Sequence, residues 1–131
     1  MIDLQEKLLR ASLKPRVECD LPGRLRLSFS RYRLLPDAAR PYLHYIEDVL
    51  KLLSGVREVE VNPRIGTILT LYDPQRSSAR QILRWVGIVV DTGIEIAREM
   101  DVSQGVDEAE MAERVRRLLV LRLPSARSEK E

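Results

Sequence analysis

Arg16-Val17-Glu18-Cys19-Asp20-Leu21-Pro22-Gly23-Arg24-Leu25-Arg26-Leu27-Ser28-Phe29 is the stretch that decides how this chain is read. Its apolar residues, Val17, Cys19, Leu21, Leu25, Leu27 and Phe29, all fall on odd positions. Arg16, Glu18, Asp20, Arg24, Arg26 and Ser28 fall on the even ones. Strict alternation gives a strand one apolar and one charged face. The segment reads as one long half-buried strand with a break at Pro22-Gly23. Proline cannot donate to a ladder, so the break marks a bulge or an edge position. On this reading Cys19 is a buried structural thiol, and Arg24 and Arg26 ride together on the charged face.

Working outward, residues 3–13 carry Leu4, Leu8, Leu9 and Leu13 at helical spacing, with Asp3 as a cap, and Lys14-Pro15 ends that helix. Residues 30–36 are a loop. Residues 37–53 read as a helix with Leu43, Ile46, Val49, Leu50 and Leu53 on one stripe, closed by Ser54-Gly55. Residues 56–61 and 67–72 are strands joined by a turn at Asn62-Pro63-Arg64-Ile65-Gly66, and so form a hairpin. Ser77 or Ser78 caps a long helix over residues 79–100, in which Gly87 and Gly93 each cost about 1 kcal/mol against alanine. A last helix spans residues 107–121, ahead of Pro124 and a polar tail.

The order α-β-α-β-β-α-α contains the start of a ferredoxin-like split βαβ unit. The expected fold class is therefore α+β: a ferredoxin-like core with a three- or four-stranded antiparallel sheet and extra N- and C-terminal helices. Three strands are the simplest count. Leu118-Leu119-Val120-Leu121-Arg122-Leu123 is a candidate fourth strand, against a stronger helical pattern before it. The expected organisation is an N-terminal helix over residues 1–15, a ferredoxin-like domain over 16–100, a C-terminal helix over 101–124 and a tail over 125–131.

Bulk composition bounds the function. The chain has 131 residues, 44% of them hydrophobic, enough for one domain with a core of its own. Charged residues reach 32% but balance to a net charge of +2, which argues against a polyanion as the main partner. Arginine greatly outnumbers lysine, favouring bidentate contacts with carboxylates or phosphates. A single cysteine rules out an internal disulfide and suits a reducing, cytoplasmic setting. The N-terminus lacks the apolar run of a signal peptide, and the six apolar residues of 85–90 are too few to span a bilayer.

Leu21-Pro22-Gly23-Arg24-Leu25-Arg26-Leu27, then Tyr45-Ile46-Glu47, Leu53-Ser54-Gly55-Val56-Arg57-Glu58-Val59, Val61-Asn62-Pro63-Arg64-Ile65-Gly66-Thr67 and Tyr72-Asp73-Pro74 together make a pattern over residues 16–98. It resembles the heavy-metal-associated-like domains that lack the metal-binding cysteine pair. Such domains occur at the N-termini of some metal-transporting P-type ATPases and as small proteins encoded beside them, some in systems of bacterial iron storage. The resemblance implies a non-catalytic accessory protein of a metal-transport or iron-storage system, without a cofactor. It also implies a location in the cytoplasm or at the periphery of a membrane or metal-storage compartment. The metal-carrying members of this fold hold a soft metal with Cys-x-x-Cys after the first strand. Residues 30–36 contain no cysteine, so dithiolate carriage of copper or zinc is chemically closed to this chain.

The candidate partner-binding residues are Arg24 and Arg26, roughly 7 Å apart on one strand face, extended by Arg31 and Arg33 on either side of Tyr32. They suit an acidic protein or an anionic membrane surface. The competing reading pairs Arg24 and Arg26 with Glu58 and Glu60 across the sheet. The candidate metal ligands are His44, Glu47 and Asp48 at helical spacing, or a Cys19 shared between two chains. They define a metal-binding chaperone as the alternative function. No nucleophile and base constellation is present in sequence, and no enzymatic activity is expected. One aromatic beside the arginines is poor equipment for stacking nucleic-acid bases. Asp107, Glu108, Glu110 and Glu113 suit the N-terminal end of their helix, or could meet the arginine face of another copy in a homo-oligomer.

Overall fold

Two residues, Pro22 and Gly23, form the first turn of the structure, a computed structural model that describes residues 13–29, 31, 45–99 and 108–124. The opening stretch is not one strand. It folds back on itself as β1 (Arg16–Leu21) and β2 (Arg24–Ser28), with Leu21 paired to Arg24. Gly23 has φ +80, so Pro22-Gly23 takes the residue order of a type II turn, with proline at the first central position and glycine at the second. A Cβ on Gly23 would lie 3.0 Å from the Tyr72 carbonyl oxygen, so both the backbone angle and the space select glycine. The alternating pattern could not separate a break in one strand from a tight hairpin, because both leave polar residues between two apolar runs.

After β2 come α1 (Ile46–Leu50), β3 (Val56–Asn62), β4 (Thr67–Tyr72), α2 (Ala79–Glu99) and α3 (Glu108–Arg122). The sheet order is β1-β2-β4-β3, with every neighbouring pair antiparallel. β4 is inserted between β2 and β3, the split βαβ arrangement of a ferredoxin-like core. The fold is thus α+β with added helices. The fourth strand comes from the N-terminal side, through the Pro22-Gly23 turn. Residues 118–122 continue α3 and supply no strand. Residues 3–12 of the first expected helix, residues 37–44 of the second, and Arg33 and His44 lie outside the described residues.

One face of the sheet carries the core. Leu25, Leu27 and Phe29 from the β2 segment, Val59 from β3, and Ile68 and Tyr72 from β4 cluster with Val49, Leu50 and Leu53, with Ile82, Trp85 and Val86 of α2, and with Leu119 of α3. Trp85 is fully buried, and its indole N–H donates to the Val49 carbonyl oxygen at 2.9 Å, joining α2 to the end of α1. Without that acceptor the buried donor would cost about 1–3 kcal/mol. Ser78, rather than Ser77, caps α2: its hydroxyl accepts from the Gln81 N–H at 3.2 Å. Arg122 ties α3 to α2 through Glu95 at 2.9 Å and the Thr92 hydroxyl at 2.8 Å.

Gly55 and Gly87 answer opposite demands. Gly55 has φ +92, and a Cβ there would lie 2.9 Å from Arg76 Cβ. Gly87 sits exposed in α2, and a Cβ there meets nothing within 4 Å. Urea denaturation should therefore find Gly87→Ala more stable than wild type by about 0.5–1 kcal/mol and Gly55→Ala less stable by about 1–3 kcal/mol. Equal effects of the two substitutions would contradict this account.

Candidate functional site

The two-residue turn sets which side chains share the outer face of the sheet. Residues paired directly across an antiparallel ladder point to the same side. Leu21 pairs with Arg24 and Cys19 with Arg26; Arg24 then pairs with Leu71 and Arg26 with Leu69; and Leu71 pairs with Glu58 and Leu69 with Glu60. Two rows therefore cross the outer face. One runs Leu21, Arg24, Leu71, Glu58, and the other Cys19, Arg26, Leu69, Glu60. None of these eight residues belongs to the core cluster or packs against it.

This placement corrects the reading of Cys19. On one continuous strand its odd position would have pointed it to the core. The hairpin reverses that parity, and a bulge between Val17 and Cys19 reverses it again, so Val17 pairs with Leu27 of the core face. Cys19 is half-buried beside Arg26 rather than enclosed. Leu21 is 52% exposed for the same reason.

The pairing of Arg24 and Arg26 with Glu58 and Glu60 does not form. β4 stands between the two strands, which puts β2 and β3 about 10 Å apart. Arg26 instead meets Glu18, the residue at the β1 bulge, with Nε 3.4 Å from its carboxylate. Both side chains are more than a third exposed, so the pair contributes roughly 0.2–1 kcal/mol and does not lock Arg26 in place. Arg24 is exposed and has no ion-pair partner among the described residues. Between the acidic and leucine rows lies a shallow groove of about 290 Å³, lined by Lys51, Glu58, Val59, Glu60, Leu69 and Leu71. Sequence reasoning found the arginines but missed the leucines. Thr67-Ile68-Leu69-Thr70-Leu71-Tyr72 is apolar on both parities, a sign that both faces of β4 need non-charged residues.

The remaining candidates among the described residues do not converge. Arg31 is exposed in the segment after β2. Glu47 and Asp48 sit in the first turn of α1, half-buried and exposed respectively. No group of three or more His, Cys, Asp or Glu side chains able to hold a metal occurs among the described residues. Glu113 pairs with Arg117 along α3 at 3.6 Å, one turn away on the same helix. No described helix is long and apolar enough to cross a membrane. Searches of family models, curated proteins and solved structures found no match to this chain.

A half-buried thiol on a sheet face that no described helix covers is open to attack. Under native conditions Cys19 should react with Ellman's reagent within about 100-fold of its rate in denaturant. Full protection until global unfolding would restore the enclosed thiol that the odd position suggested.

Proposed function

We propose that this chain is a non-catalytic interaction protein that binds a protein partner through the outer face of its sheet, with Arg24 and Arg26 as the principal contacts. The observation that carries the proposal is the exposed Arg24 beside Arg26, next to a leucine row that no described helix covers. Arginine in such a place supplies planar, bidentate donors next to apolar area, the combination found at the energetic centres of interfaces. The resemblance over residues 16–98 is the ground for placing the protein beside a metal-transport or iron-storage system, and nothing else in the argument depends on it.

The charge of the face favours a protein over an anionic membrane. Arg16, Arg24 and Arg26 are matched on the same side by Glu18, Glu58 and Glu60. A uniformly negative surface would gain from the first three and lose by the others. A partner with its own mixed pattern gains from both.

Immobilised wild-type protein should retain its partner from a lysate of the native cell, and Arg24→Ala/Arg26→Ala should lose at least about ten-fold of it, the scale of one or two charge-assisted hydrogen bonds. Equal recovery by the two proteins would overturn the assignment of the arginines. Phosphatidylserine vesicles serve as the contrasting arm, and wild type should not co-sediment with them at physiological salt.

A further inference from the structure

The outer face is divided by charge about a neutral line. Leu69 and Leu71 run along β4 in the middle. Arg24 and Arg26 stand on one side, on β2, and Glu58 and Glu60 on the other, on β3. We propose that this pattern is self-complementary and that the face binds a second copy of the chain, face to face, about a two-fold axis parallel to the strands. This rests on the reading of the outer face as a binding surface, and it names the occupant.

The geometry selects the axis. A two-fold axis lying between the sheets and running along β4 carries β2 of one copy over β3 of the other. Position along the strand is unchanged, so the segment Arg24-Leu71-Glu58 faces its own reverse. Arg24 then meets Glu58 of the second copy, Arg26 meets its Glu60, and Leu69 and Leu71 meet their own counterparts. Each arginine–glutamate contact is made twice and each leucine meets its own mate across the axis, as in an isologous interface. An axis across the strands would instead stack arginine on arginine and glutamate on glutamate. Two sheets packed in this way lie about 10 Å apart with strands within about 30° of each other. That gap suits interdigitating leucine and arginine side chains. The groove lined by Glu58, Glu60, Leu69 and Leu71 offers a guanidinium two carboxylates above an apolar floor. Lys51 at its margin is the one cation among the lining residues.

The other surfaces of the sheet are closed to such association. The inner face is filled by the core. Both edge strands carry a bulge, between Val17 and Cys19 in β1 and between Val56 and Glu58 in β3. Each also bears charges along its length, the pattern that blocks edge-to-edge pairing. Strand spacing and rise make the open face about 19 by 17 Å. That is a small interface, so the dimer should be populated at about 10–100 µM protein rather than at nanomolar concentration.

Sedimentation velocity on the full chain decides the matter. Wild type at about 100 µM in low salt should sediment as a dimer. Arg24→Glu/Arg26→Glu and Glu58→Arg/Glu60→Arg should each be monomeric, since each gives positions 24, 26, 58 and 60 the same sign where the two copies would meet. An equimolar mixture of the two should regain the dimer, because glutamates at positions 24, 26, 58 and 60 of one copy then meet arginines at the same positions of the other. All four substituted positions are outside the core, and circular dichroism checks that each variant is folded. A second measurement needs no variant: on dilution of wild type, amide shifts should move at Glu58, Leu69 and Leu71 and stay fixed at Val120 and Leu121. A wild type that stays monomeric, variants that stay dimeric, or a mixture that stays monomeric would overturn the proposal. A monomeric wild type whose lysate partner is still lost on Arg24→Ala/Arg26→Ala would overturn the dimer alone and leave the protein-binding reading standing.

Discussion

The Pro22-Gly23 turn is the constraint on which the rest of this structure depends. It closes a hairpin where alternation alone suggested a continuous strand, and it supplies the fourth strand from the N-terminal side. The turn is held from outside as well as within: the Tyr72 N–H donates to the Gly23 carbonyl at 3.0 Å, so the end of β4 is stitched to it. Because the loop has two residues, the side chains at its ends share a face. That parity moves Leu21 and Cys19 to the side of Arg24 and Arg26. A continuous strand would have placed them with Leu25 and Leu27 in the core.

The second constraint is the insertion of β4 between β2 and β3. On the inner face it gathers Ile68 and Tyr72 between Leu25, Leu27 and Val59, and so completes a core against which Trp85 packs. On the outer face the same insertion keeps the basic and acidic columns apart. Had β2 and β3 been neighbours, Arg24 and Glu58 would have paired within the sheet and left an ordinary solvated surface. The strand order that makes the fold ferredoxin-like therefore also keeps these arginines and glutamates from pairing with each other, with a leucine row between them.

Much of the architecture was legible in the sequence. The β3–β4 hairpin, α2 and α3 fall within one or two residues of their expected spans, because hydrophobic period and punctuation by Ser78, Gly55 and Pro124 agree there. The α+β class followed from the element order. The strand count did not, since three strands were the simplest expectation. The site was legible in part: Arg24 and Arg26 stood out by type and spacing, whereas Leu69 and Leu71 were hidden in a strand whose residues are apolar on both parities. Glu58 and Glu60 were noticed as the wrong thing, partners of the arginines within one chain, because sequence distance says nothing about which strand lies between two others.

What this sequence determined by itself is local: where strands and helices begin and end, and that two arginines share one strand face. Those follow from side-chain period and backbone chemistry within a few residues. What only the tertiary structure decided is adjacency. A strand's neighbours are chosen by burial summed over the whole core, and one added turn or bulge reverses the direction of every side chain beyond it. Cys19 beside Arg26, and Arg24 separated from Glu58 by Leu71, are consequences of that choice.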